Sequence, residues 1–182
     1  MAKTDWDFVI DGIGSWAIVS EGGSMRLQFI YNKVFALWNG RNDLANSEII
    51  AELRFNNVST LCRGGFILRS DGTKNNMYLL YIYYDTSDKR RFNLYRVVDN
   101  VWTILVDIKV SSIPPASYIP TRFRIDGWQL SCHVYYEAEW HEVFFKDDEL
   151  QSHSQGYAGM AGFSTYASYR ASFDNVEIRE RT

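Results

Sequence analysis

The stretch Phe92-Asn93-Leu94-Tyr95-Arg96-Val97-Val98-Asp99-Asn100-Val101-Trp102-Thr103-Ile104-Leu105-Val106-Asp107-Ile108 reads as a β-hairpin. Two runs rich in β-branched and aromatic residues flank Asp99-Asn100, a pair that tolerates the positive φ of a tight turn. In the second run Trp102, Ile104, Val106 and Ile108 alternate with Thr103, Leu105, Asp107 and Lys109. A period of two predicts a strand whose first set faces a core.

The same period recurs along the chain. Thr121 to Asp126, a turn near Gly127 and a return through Trp128 to Tyr136 make a second hairpin. Its returning strand puts Trp128, Leu130, Cys132, Val134 and Tyr136 on one face, and Gln129, Ser131, His133 and Tyr135 on the other. A third hairpin links it to Glu139–Lys146. Ile49, Ala51, Leu53 and Phe55 also alternate, which overrides the helix-capping signal at Asn46 or Ser47 within Asp43–Leu53. Met77 to Tyr84 is apolar on both faces, the pattern of a central strand covered on both sides. Gly22-Gly23 and Asp71-Gly72 mark further turns, and Pro114, Pro115 and Pro120 mark a crossing loop. Phe173-Asp174-Asn175-Val176-Glu177-Ile178 breaks alternation, predicting a bulge at Asp174-Asn175. Close sheet approach or bulges account for Gly156, Gly159 and Gly162.

At the usual strand spacing, this chain holds roughly 14–16 strands. The predicted fold class is therefore all-β, a two-sheet antiparallel sandwich of jelly-roll type, as one domain over residues 1–182. Aromatic residues make up 16 % of the 182, enough to exclude a disordered chain and to fill the space between two sheets. A net charge of −3 provides no field for nucleic acid, and Lys89-Arg90-Arg91 reads as a solvated turn. Cys132 has the parity of a buried hydrophobe, and two cysteines, the other being Cys62, fit synthesis in a reducing compartment. No signal-peptide core and no membrane-length apolar run occur. The expectation is cytoplasmic synthesis without membrane insertion, so the glycosylation triplet Asn57-Val58-Ser59 is read as chance.

Several segments carry a family likeness. Trp6-Asp7-Phe8 and Gly14-Ser15-Trp16-Ala17-Ile18 look like opening strands, and Gly64-Gly65-Phe66-Ile67-Leu68-Arg69-Ser70 with Asn76-Met77-Tyr78-Leu79-Leu80 like a central hairpin. Phe123-Arg124-Ile125-Asp126-Gly127-Trp128-Gln129-Leu130, Gly156-Tyr157-Ala158-Gly159-Met160-Ala161-Gly162-Phe163 and the Phe173–Ile178 stretch complete the pattern. Together they resemble the concanavalin A-like lectin/glucanase jelly rolls, in the broad laminin-G-like branch. The resemblance implies neighbouring termini and a family of sugar-binding modules, glycanases, adhesion domains and phage or virus surface proteins; it does not choose among them.

Chemistry-bearing patterns are sparse. Glycanases of that family use an acidic cluster spaced Glu-x-Asp-x-x-Glu. Glu137-Ala138-Glu139-Trp140-His141-Glu142 departs from it and lies at a predicted hairpin turn, with Trp140 packing on the core edge. No catalytic residue is assigned. His133, His141 and His153 have no metal-ligand spacing, so no metal or cofactor is assigned. Calcium is compatible with the fold, with Asp71 and Asp147-Asp148-Glu149 as its candidate ligands. There is no nucleophile elbow or phosphate loop.

What remains is a group of strand tyrosines, including Tyr78, Tyr81, Tyr83, Tyr84, Tyr95 and Tyr135. The candidate ligand-binding residues, for a glycan or a protein interface, are Tyr78, Tyr95, His133, Tyr135, Arg96 and Gln129, with Arg69 as a further polar partner. The sequence favours a non-enzymatic binding or structural sandwich: an interaction or decoration subunit on a phage or other particle surface, with other protein subunits or cell-surface glycans as partners. A homo-oligomer and a virion-surface location fit this reading. The alternative is a carbohydrate-binding, lectin-like module; a glycan hydrolase or lyase stands third.

Overall fold

The computed structural model describes residues 6–21, 24–56, 62–84, 90–110, 118–136, 139–147, 154–164 and 171–181. Twelve strands run along them. They are β1 (Trp6–Glu21), β2 (Ser24–Trp38), β3 (Ser47–Phe55), β4 (Cys62–Ser70), β5 (Met77–Tyr84) and β6 (Arg90–Val98), then β7 (Val101–Val110), β8 (Ile119–Asp126), β9 (Gln129–Tyr136), β10 (Glu139–Lys146), β11 (Tyr157–Ser164) and β12 (Ala171–Glu180). All pairings are antiparallel, and no helix occurs among the described residues. At 16 and 15 residues, β1 and β2 are longer than the spacing behind the expected total of roughly 14–16 strands.

The ladder runs β10-β9-β8-β3-β12-β2-β11-β4-β5-β6-β7, with β1 paired along β2. It folds into two facing sheets at β2. Leu27–Phe29 of β2 pair with β12 in the first sheet, whereas Asn32–Leu37 pair with β11 in the second. Between the sheets lies one apolar cluster. The first sheet contributes Ile49, Leu53, Phe123 and Leu130, and the second contributes Phe66, Leu80, Phe92 and Met160. Phe173 sits between Phe29 and Phe66, meeting each edge-on at 5.5 Å. The fold is thus an all-β, two-sheet antiparallel sandwich, as the sequence predicts.

Asp99 and Asn100 take φ of 49° and 63°, a tight turn of left-handed residues between β6 and β7. The six residues Met77 to Ile82 are all buried, as a two-sided strand requires. Asn175 has φ of 50° at a register shift between Asp174 and Glu177, which is the predicted bulge. Cβ atoms added at Gly156, Gly159 and Gly162 would lie within 2.3 Å of a neighbouring chain segment. Cys132 is a buried free thiol, pushed up in pKa by burial.

Other placements differ. Pro120 lies inside β8 rather than in a loop, paired with Glu52 near the strand's start, where a missing donor is tolerated. Trp128 belongs to the turn before β9 and is 40 % exposed. Trp102 does not share the inter-sheet face with Val106 and Ile108, because a register shift between Leu94 and Tyr95 inserts an extra residue in β7 and reverses the parity. Pro114, Pro115, Gly22-Gly23, Asn57, Lys89, Glu137 and His153 lie outside the described residues.

Candidate functional site

The outer face of the second sheet carries an apolar cluster of its own: Phe35, Leu37, Ile67, Met77, Leu79, Tyr81, Val97 and Ala161. It exists because β5 spends both faces on apolar side chains. Tyr78, Leu80 and Ile82 point inward, while Met77, Leu79 and Tyr81 point outward. Tyr81 stands opposite Asn93 on β6 and Gly65 on β4. A Cβ at Gly65 would sit 2.9 Å from the Tyr81 ring, so glycine there lets the ring lie against the sheet.

Around Tyr81 the aromatics assemble. Trp102 on β7 lies nearly parallel to it, with centroids 6.4 Å apart and 9° between planes. Tyr95 fits edge-on to both, 6.2 Å from Tyr81 and 5.6 Å from Trp102. With Arg63 and Phe163 these rings line a recess of about 150 Å³. That is room for part of a ligand. The Arg63 guanidinium stacks over Tyr83 at 4.7 Å and Phe163 at 5.6 Å. Further along the face Arg91 and Asp107 pair at 2.6 Å. Burial pushes the Tyr95 hydroxyl up, so it stays a neutral donor and acceptor. Flat rings beside hydrogen-bonding groups can hold the C–H face of a polar ring while meeting its hydroxyls.

The candidate residues from the sequence are divided among three places. Tyr95 is in the recess. Tyr78 and Arg96 are not on an open face. Tyr78 is fully buried between the sheets, and its hydroxyl reaches Asp147 at 3.3 Å. Arg96, its cross-strand partner, pairs with the same carboxylate at 2.9 Å. Both are inward-facing because the β-strand parity of residues 78 and 96 is that of Leu80 and Leu94. Gln129, His133 and Tyr135 lie on the outer face of the other sheet. There Tyr135 meets Trp140 at 5.4 Å, and His133 donates to Glu142 at 2.7 Å. Burial, the larger influence, holds the His133 imidazole below its ordinary pKa despite Glu142. Trp140 is half exposed rather than packed on the core edge, since the register aligns it with outward-facing Tyr135. Arg69 is a buried strut bonded to the carbonyls of Ala45 and Gly127.

The recess includes residues that sequence reading missed or assigned elsewhere. Trp102 has core-facing parity in the sequence, and Arg63 and Phe163 carry no binding signal there. The available signal was the register Arg63↔Tyr83 and Arg63↔Phe163, which only strand pairing reveals.

No group of three or more His, Cys, Asp or Glu side chains suited to a metal occurs among the described residues. Asp71 accepts from Thr73 and Asn76, and Asp147 is engaged by Arg96 and Tyr78.

No protein-family profile and no curated protein sequence matches the chain. Solved structures do match in fold. A carbohydrate-binding module, CBM66 from Bacillus subtilis, superposes with a TM-score of 0.71 at 17 % identity, covering 97 % of this chain and 96 % of that one. Lectin II from Ulex europaeus gives 0.70 at 8 % identity, covering 98 % and 94 %. The alginate lyase from Klebsiella pneumoniae gives 0.65 at 9 % identity, covering 92 % and 84 %.

Proposed function

We propose that this protein is a carbohydrate-binding, lectin-like module that holds a saccharide against the outer face of its second sheet. The observation that carries this reading is the recess in which Tyr81, Tyr95 and Trp102 contact one another beside Arg63. The fold likeness to a carbohydrate-binding module and a lectin supports it, while the particle-subunit expectation draws no support from those likenesses. Binding without catalysis is part of the proposal, and the shared fold of a lyase makes polysaccharide cleavage the necessary control. A glycan array on the wild-type chain, repeated with Tyr95→Ala and Trp102→Ala, tests it. Hits that both variants lose support the reading; hits that both retain in full remove the recess from it.

A second reading rests on a separate observation. Phe144, Trp140 and Tyr135 are 66 %, 50 % and 38 % exposed on the outer face near edge strand β10. Exposed aromatics of this kind suit a protein interface. If they serve one, sedimentation of the wild type will show an assembly that Trp140→Ser with Phe144→Ser dissolves. A monomer at all concentrations removes the self-association form of this reading.

A further inference from the structure

We infer that the recess selects saccharides bearing a carboxylate, and that Arg63 is the group that reads it. This rests on the saccharide-binding reading and adds the charge of the ligand to it.

Arg63 differs from five other arginines of the chain. Arg41, Arg91, Arg96, Arg122 and Arg124 each lie within ion-pair distance of a carboxylate. Arg63 has no such partner among the described residues. Its neighbours are aromatic: the guanidinium lies over the rings of Tyr83 and Phe163, and its Nε is buried with no hydrogen-bond partner. A half-buried cation with an unmet donor is costly, and an anion presenting two oxygens in a plane is the best complement of a guanidinium. The two flanking rings fix the guanidinium plane in advance, so little side-chain freedom is lost when that anion arrives.

A second orphan lies on the same face. Asn93, opposite Tyr81, is 2 % exposed, and its Oδ1 accepts no hydrogen bond. Arg63 and Asn93 therefore lie on the outer face with Tyr81, one on each neighbouring strand. A ligand suited to a guanidinium set beside flat rings carries an anionic acceptor on a hydroxyl-bearing ring, which describes a uronic acid. Asp107, the acidic group across from Asn93, is neutralised by Arg91 at 2.6 Å and so does not repel such a ligand. Stacking alone would explain the Arg63 geometry without a ligand, and the experiment separates the two.

The full chain is titrated calorimetrically with uronic-acid oligosaccharides (galacturonate, mannuronate and glucuronate types), with their methyl esters, with a sulfated oligosaccharide and with neutral oligosaccharides. Arg63→Met and Arg63→Lys are measured alongside, each first checked by thermal melting. The expected result is an acid bound about tenfold or more tightly than its own ester, as one charge-assisted contact allows. Arg63→Met erases that ratio and Arg63→Lys keeps part of it. A structural Arg63 would lower the melting temperature and leave the acid-to-ester ratio unchanged, which overturns the inference. Neutral sugars or esters bound as tightly as acids, with binding still dependent on Tyr95 and Trp102, also overturn it while the saccharide reading stands. Preference for the sulfated sugar overturns the carboxylate assignment. No saccharide bound at all overturns both readings.

Discussion

Arg96 and Asp147 meet at 2.9 Å where the two sheets close, with the Arg96 side chain 15 % and the Asp147 side chain 2 % exposed. The Tyr78 hydroxyl donates to the same carboxylate, and burial pushes that hydroxyl far above its ordinary pKa. A buried ion pair is worth little over an apolar replacement, but breaking it strands a charge. Asp147→Ala should therefore lower unfolding free energy by about 3 kcal/mol. Tyr78→Phe, which removes one hydrogen bond and keeps the ring, should lower it by about 1 kcal/mol. Urea unfolding of both variants measures the order. An Asp147→Ala variant as stable as Tyr78→Phe would mean that Arg96 finds another partner.

Trp102 and Tyr95 serve the recess more than the inter-sheet core. Replacing either by Ala should weaken saccharide binding about tenfold, equivalent to ~1.4 kcal/mol, while circular dichroism keeps its β signature. Ala at Phe66, fully buried between the sheets, should instead cost about 3–5 kcal/mol of stability. Equal destabilisation by Trp102→Ala and Phe66→Ala would place Trp102 with the structural core after all.

Gly159 sits where β11 pairs with both β2 and β4, and an added Cβ would stand 2.2 Å from the Ala36 carbonyl oxygen. The obstacle is backbone, so it cannot rotate away. Gly159→Ala should cost about 1–3 kcal/mol, as overpacking does. A thermal melt unchanged from wild type would contradict the close approach.

His133 gives the chain a pH dependence with a defined sign. Burial, aided by Arg122 and Arg124, lowers its folded pKa from the ordinary 6.5, against the pull of Glu142 and Glu48. As pH falls, the unfolded chain binds that proton first. Stability from the neutral imidazole is therefore complete above 6.5 and is lost as pH drops through the lower folded value. Chemical denaturation from pH 7 to pH 5 should show the wild type losing more stability than His133→Gln. Parallel losses in the two proteins would show that His133 is not responsible.

The sandwich was legible in the sequence because period-two patterns and turn pairs are local. Asp99-Asn100 specifies its hairpin within two residues, and β5 declares itself by being apolar on both faces. The recess was not legible for a physical reason. Its residues come together only through register: Arg63 with Tyr83 and Phe163, Tyr81 with Asn93. One extra residue in β7 sent Trp102 to the opposite face from Val106, and period counting cannot see a bulge that leaves apolar residues on both sides. Tyr78 and Arg96 look like surface binders by type, yet parity and Asp147 draw them inside. His133 and Tyr135 do face outward, but on the other sheet from Tyr95.

The β1–β2 hairpin belongs to both sheets, whereas β7 and β10 are the two ends of the ladder and share no hydrogen bonds. The sandwich is bound along one side like a book, and the opposite side is its mouth. Val106 and Ile108 from one cover face His141 and Val143 from the other across a small apolar gap there. Breathing of the sheets must widen that fore-edge while the spine holds. Amide exchange should accordingly run faster at Val143 than at Phe35, and the reverse order would mean that the spine, not the mouth, yields first.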